Sequence, residues 1–254
     1  MKRDFFRLLG PRKRASMTGL LRARQRKSAF FLAALVLISS QWACGSSKAT
    51  QAPALAPQMA PRKTSTPYTG DLSIFEGKDR DNKLQVQRVM DILGVVPGAH
   101  VADIGAGSGW FTVRAAKRVG EQGIVYAVDI NPGAITYIDR RAEREKIPNI
   151  RTVLGSADDP KLPADGVDCV LMLKTYHEVA HPIVLLENLR KSLRAGARVG
   201  VIDRNGNGED HGLARDVVVA EAAKARYSKV EEYDFVKGDG EDYFLVFRVA
   251  QSNR

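Results

Sequence analysis

The chain has 254 residues, 44% apolar and 27% charged, enough for one sizeable buried core and too few for two generous ones. Its net charge of +10 invites a nucleic-acid reading, but ten Lys or Arg against one acid fall within residues 1–27, so that block carries +9 and the remainder nets +1. A nearly neutral body has no field with which to hold a phosphate backbone, and no basic run with interleaved aromatics follows residue 63, so nucleic-acid binding is set aside.

The basic block leads into an uninterrupted apolar run at residues 29–38, followed by small and polar residues up to Cys44. Ten residues are half of what a helix needs to cross a bilayer, but they suit the core of a secretory signal. Residues 1–44 therefore read as a signal-peptide-like segment. The surroundings of Cys44 resemble a bacterial lipoprotein acylation site, except that Gln41 stands where that motif prefers Leu. Cleavage without lipidation and an uncleaved membrane anchor stand beside that reading. The expectation is an exported or membrane-anchored protein on the periplasmic face; a true start at Met59 makes it cytoplasmic instead. Residues 45–70 carry Pro53, Pro57, Pro61 and Pro67 at a spacing that interrupts helix and strand alike, which predicts a linker. The folded unit is then residues 71–254.

Within it the apolar pattern predicts a helix over 79–93, ending at Gly94, and then strands alternating with helices. Strands are expected at 100–104, 123–129, 150–154, 167–173, 198–203, 230–236 and 243–249, and helices at 110–119, 132–146, 182–193 and 213–227. The early strands are continuous apolar runs, as in a parallel sheet covered on both faces. Only Lys237-Gly238-Asp239-Gly240 separates the last two strands, too little for a crossover, so they form an antiparallel hairpin. The fold class is α/β: a Rossmann-like seven-stranded sheet with helices on both faces. Cys169 falls inside a strand as a small buried hydrophobe, and two cysteines in all give neither a disulfide framework nor a metal site.

The first strand runs through Asp103 into a loop with Gly105, Gly107 and Gly109, where missing Cβ atoms let the chain turn and a ligand approach the backbone. A dinucleotide loop wants a small residue where Trp110 stands. Asp129 closes the second strand twenty residues after Gly109, placed to accept from a ribose diol. Asp158, after the third strand, suits an adenine amino group better than Asp159, which precedes proline. Each aspartate alone also reads as a helix N-cap, but three at successive strand ends point to one adenosine ligand.

Over residues 79–249 the chain resembles class I S-adenosylmethionine-dependent methyltransferases. The resemblance implies that Asp103, Gly105, Gly107 and Gly109 cradle the methionine part of S-adenosyl-L-methionine, that Asp129 binds its ribose and that Asp158 binds its adenine. Asp168 and the following apolar residues match the family's fourth strand, and residues 189–198 look like its turn into strand five, with Ala195 and Ala197 replacing the usual Pro and Gly.

His177-Glu178-Val179-Ala180-His181 spells a zinc-protease string, H-E-x-x-H. That chemistry needs one helix through both histidines, whereas Pro182 marks a helix start just after them, so no metal is assigned and zinc proteolysis is a remote alternative. In the methyltransferase reading this loop meets the acceptor. His177 and Tyr176 are the catalytic candidates, Glu178 a substrate-side group, and Lys174 and Arg80 anion binders or plain surface charges. The absence of a large insertion favours a small-molecule acceptor. A cofactor-binding module without turnover is the competing reading.

Overall fold

The apolar strands pair into a seven-stranded sheet in the order β3-β2-β1-β4-β5-β7-β6. The computed structural model describes residues 60–251; the signal-like segment, Cys44, Met59 and most of the expected linker lie outside the described residues. The strands are β1 (His100–Ile104), β2 (Ile124–Asp129), β3 (Ile150–Leu154), β4 (Val167–Leu173), β5 (Leu193–Asp203), β6 (Tyr227–Tyr233) and β7 (Tyr243–Val249). The first five are parallel, and β7 runs antiparallel to both β5 and β6. Among the described residues no helix is long and apolar enough to cross a membrane.

Side-chain alternation explains why the strands read as unbroken apolar runs. Val101 and Leu171 enter one core with α2 (Val86–Leu93), α3 (Trp110–Val119) and Ile138 of α4 (Pro132–Glu145). Ala102 and Met172 enter a second core with α5 (Pro182–Arg190) and α6 (Arg215–Lys224). Each face is covered, so both sets must be apolar. Cys169 is a fully buried thiol whose pKa burial pushes up to about 12.

The element boundaries differ from expectation where backbone geometry intervenes. The helix expected over 79–93 is broken at Gln85, whose φ of 52° separates α1 (Arg80–Leu84) from α2. The last helix stops at Lys224 because Arg226 turns left-handed, and β6 begins at Tyr227, three residues before the expected 230. Its ring is pinned by a hydrogen bond to the Leu186 carbonyl. β5 begins at Leu193 because that residue already pairs with Val167, across a register shift.

The chain ahead of Asp71 is packed against the sheet domain. Arg62 donates from Nη1 to both carboxylate oxygens of Glu221 and from Nη2 to the carbonyls of Tyr176 and Val179, at 2.6 to 3.1 Å. The Ser65 amide donates to the Gly208 carbonyl. Replacing Arg62 with Ala strands a largely buried carboxylate and two carbonyls, and should cost about 2–3 kcal/mol in urea unfolding. Pairing R62A with E221Q should recover part of that loss.

Candidate cofactor and acceptor cavity

Chain order runs outward from β1 through β2 to β3, then reverses to β4 and β5, so β1 and β4 flank the switch point where an open parallel sheet leaves a crevice at its carboxyl edge. A cavity of about 630 Å³ occupies that place. The β1 loop and the β4 loop meet at its floor: a Cβ on Gly105 (φ 73°) would come within 2.2 Å of the Thr175 hydroxyl. Only glycine allows this approach.

Asp103, Gly105, Gly107 and Asp129 all line the cavity. Gly109 stands just behind, left-handed at φ 70°, and opens α3. Asp129 is held by two backbone donors, the Gly107 amide on Oδ2 and the Asn131 amide on Oδ1, both at 2.9 Å. A carboxylate oxygen accepts more than one hydrogen bond, so this clamp fixes the group and leaves lone pairs for a diol. Asn131 also caps α4 by accepting from the Gly133 amide, and Pro132 begins that helix.

Asp103 is buried, with only the Thr112 hydroxyl at 2.6 Å as a side-chain partner. Burial raises its pKa from 3.8 to about 6, more than the Thr112 hydrogen bond lowers it. Between those values the unfolded chain has released a proton that the folded chain retains, so stability falls as pH rises through the window. The ligand-free protein should therefore gain up to about 3 kcal/mol from this group as pH falls from above 6 to below 4. Comparing denaturant unfolding of wild type and D103N across pH checks it: the variant's stability curve should lack this component.

Two further buried polar atoms on lining residues, Ser108 Oγ and Trp110 Nε1, have no hydrogen-bond partner among the described residues. The guanidinium groups of Arg80 and Arg114 both lie over the Trp110 ring, 4.6 and 4.1 Å from its centre. Arg80 also lines the cavity and pairs with Asp239. An acid, a guanidinium and two free hydrogen-bonding groups suit the ammonium and carboxylate of an amino acid, while Asp129 suits a ribose. The donor set thus fits S-adenosyl-L-methionine.

The rest of the wall departs from expectation. Asp158 does not line the cavity; its carboxylate accepts from the Ser156 hydroxyl at 3.2 Å, and its carbonyl is tied to Asn188 of α5. Ser156 and Ala157 stand on the wall instead, because the bridge between Ser156 and Asp159 folds that loop back on itself. Tyr176 is not at the cavity either. Its fully buried ring belongs to the core on the α5 and α6 side, beneath Arg62.

His177 is also buried and off the wall. Its Nδ1 sits 2.9 Å from both oxygens of Asp203, and its amide donates to the same carboxylate. Glu178 does line the cavity, and burial raises its pKa. Lys174 lines it too, in an ion pair with the buried Glu241, and burial lowers its pKa. The protease string is not one helix: His177 lies in a 3-10 turn (Tyr176–Glu178) and His181 is the N-cap of α5.

Residues ahead of α1 complete the wall with Pro67, Tyr68, Thr69, Leu72 and Phe75, the last two from a 3-10 helix (Leu72–Phe75). Glu76 anchors that helix by accepting from Tyr137 and pairing with Arg141 of α4, at 2.8 and 2.9 Å. Sequence reasoning missed this apolar wall. It also missed Asp203, although an acid at the carboxyl end of β5 repeats the pattern that singled out Asp129.

The family model for a methyltransferase domain matches residues 101–196. Aklanonic acid methyltransferase DauC of Streptomyces sp. (strain C5) is 38% identical over 85 residues, 34% of this chain and 39% of that protein. Ubiquinone/menaquinone biosynthesis C-methyltransferase UbiE of Vibrio cholerae is 25% identical over 123 residues, 48% of this chain and 47% of that protein. The chain spans less than half the length of the curated relatives it matches. A SAM-dependent methyltransferase from Aquifex aeolicus shares the fold with a TM-score of 0.65 at 20% identity, over 72% of this chain and all of that one. Residues 101–196 thus match the methyltransferase-domain family, the sheet is that of S-adenosylmethionine-dependent methyltransferases, and the cavity's donor set suits S-adenosyl-L-methionine.

Proposed function

We propose that this protein transfers a methyl group from S-adenosyl-L-methionine to a small, largely apolar acceptor. One observation carries the reading: the cavity that holds the acid and amide groups suited to the cofactor continues to a wall of Tyr68, Leu72, Phe75, Val179 and Leu185. At about 630 Å³ it is of the size that encloses small ligands. The two relatives named for aklanonic acid and for quinone biosynthesis support an acceptor of this class.

When bound, S-adenosyl-L-methionine would supply an already activated methyl group to an acceptor lone pair, its sulfur keeping the electron pair of the broken bond. The protein's share is alignment and removal of water. Asp129 and the Gly107 amide orient the nucleoside, Asp103 and Arg80 hold the amino-acid end, and the apolar wall presents the acceptor. Glu178 and Lys174 are the ionisable groups on the wall suited to receive or steer a proton.

Calorimetry should give one cofactor site per chain. Transfer of labelled methyl from the cofactor should then be found to aromatic or quinone-like small molecules. Binding without transfer to any acceptor would favour the module reading, and label incorporated only into protein would exclude the small-molecule acceptor. For the N-terminal segment we propose export. Mass spectrometry of the native protein should find a chain beginning at or near Cys44, or at Met1 in the membrane fraction if the anchor is uncleaved, and one beginning at Met59 would reject export.

A further inference from the structure

His177, Glu178 and His211 each offer a ligand atom, and these atoms lie within 4.8 Å of one another. Among the described residues this is the one such group of three, and it gathers two of the chain's four histidines. His177 is 3% exposed, and its Nε2 is fully buried with no hydrogen-bond partner among the described residues. That nitrogen faces Glu178 Oε1 at 3.8 Å. The other ring nitrogen is held by Asp203, itself fully buried at the end of β5. A carboxylate on Nδ1 fixes the tautomer that leaves Nε2 as a lone pair, the arrangement that orients metal-binding histidines. A buried imidazole with one nitrogen so fixed and the other unsatisfied calls for a partner.

His211 comes from the loop after β5. It stands at φ 59°, a backbone state that costs a non-glycine residue about 1 kcal/mol or more and that collects at functional sites. Arg204 holds the turn by donating to the carbonyls of His211 and Asp210. The two histidine rings meet edge to face with centres 6.0 Å apart.

We infer that His177 Nε2, a Glu178 carboxylate oxygen and a ring nitrogen of His211 form a binding site for a divalent transition-metal ion at the cavity wall, with Asp203 orienting His177. Two imidazoles and one carboxylate suit zinc and its first-row neighbours, and three protein ligands leave a position open. Tetrahedral zinc wants ligand atoms about 3.3 Å apart. The exposed His211 and the partly buried Glu178 can close the remaining gap while His177 stays fixed. Glu178 also lines the cavity, so the ion borders the acceptor space. Its role rests on the methyl-transfer reading: an acceptor hydroxyl bound to it would lose its proton to water more readily, and the freed oxygen lone pair would bond to the methyl carbon as the methyl–sulfur bond breaks, its electron pair staying on the sulfur of the neutral thioether product. Metal binding itself does not depend on that reading. The site differs from the protease string, because His211 replaces His181.

The test is titration of untagged, metal-free protein with cobalt(II) and zinc(II), read by visible absorption and by calorimetry. One cobalt ion per chain with the absorption of low-symmetry nitrogen and oxygen coordination is expected, displaced by zinc. H211A, on an exposed loop, and E178Q should each lose stoichiometric binding. D203N should weaken binding 10- to 100-fold, and H181A should leave it unchanged. Cofactor binding, measured separately, should persist in H211A. The absence of stoichiometric binding, or binding that survives H211A but is lost in H181A, would overturn the site while leaving the methyltransferase reading intact.

Discussion

Replacing Asp129 with Ala should raise the dissociation constant for S-adenosyl-L-methionine by roughly 100- to 1,000-fold, with little change in the fold. The group stands on the cavity wall, so the two amides that now clamp it, Gly107 and Asn131, gain water when it is removed. What is lost is a pre-oriented pair of charge-assisted hydrogen bonds to the ribose, each about 1.5–2 kcal/mol, and 1.4 kcal/mol is a factor of ten. D129N should keep the shape and lose most of the affinity, since an amide offers one accepting oxygen and no charge. Calorimetry with the cofactor and with its demethylated product reads both variants. A change smaller than tenfold in D129A would remove Asp129 from the binding set and with it the orientation of the nucleoside argued above.

The largest stability effect should come from Gly105. An alanine there must adopt φ 73°, and its Cβ would stand 2.2 Å from the hydroxyl and 2.7 Å from the Cβ of Thr175. The left-handed backbone costs about 1 kcal/mol and the overlap about 1–3 kcal/mol more, so G105A should lose roughly 2–4 kcal/mol. Thermal unfolding should shift down by several degrees for each kcal/mol in a domain of this size. Gly107 is the control. Its φ of 54° carries the same kind of backbone cost, but a Cβ there meets nothing within 4 Å. G107A should therefore be destabilised by about 1 kcal/mol only. Adding T175G to G105A should restore the overlap part, because the backbone part is local to residue 105. Equal losses in G105A and G107A would mean that the Gly105–Thr175 contact does not constrain the β1 and β4 loops.

Much of the architecture was legible because it is written in short-range patterns. β1, β4 and β7 match their expected spans, since largely apolar runs bounded by glycine or acids have few other solutions in a covered sheet, and β3 matches between Pro148 and Gly155 although Arg151 and Thr152 interrupt its apolar pattern. The glycine loop and Asp129 were legible for the same reason: they occupy fixed positions just beyond strands whose ends are marked. Boundaries failed where one residue's conformation decides, as at Gln85 and Arg226, because intrinsic preferences for a left-handed turn at such residues are weak. Asp158 stands off the wall for a related cause, a loop that folds back on itself.

The reading of Tyr176 and His177 shows the other limit. Both follow β4, but the 3-10 turn there carries both off the cavity wall while Glu178 stays on it.

What the amino-acid sequence by itself determined is the alternation of strand and helix, the antiparallel end of the sheet, the glycine turn and the acid that clamps beside it. Those features depend on residues near one another along the chain. Only the tertiary structure decided which side chains meet: Arg62 with Glu221 across 159 positions, Gly105 with Thr175 across 70, and His177 with Asp203 and His211. Nothing in local periodicity encodes those encounters. They arise from the order in which the strands assemble, which brings the loops after β1, β4 and β5 to one edge of the sheet.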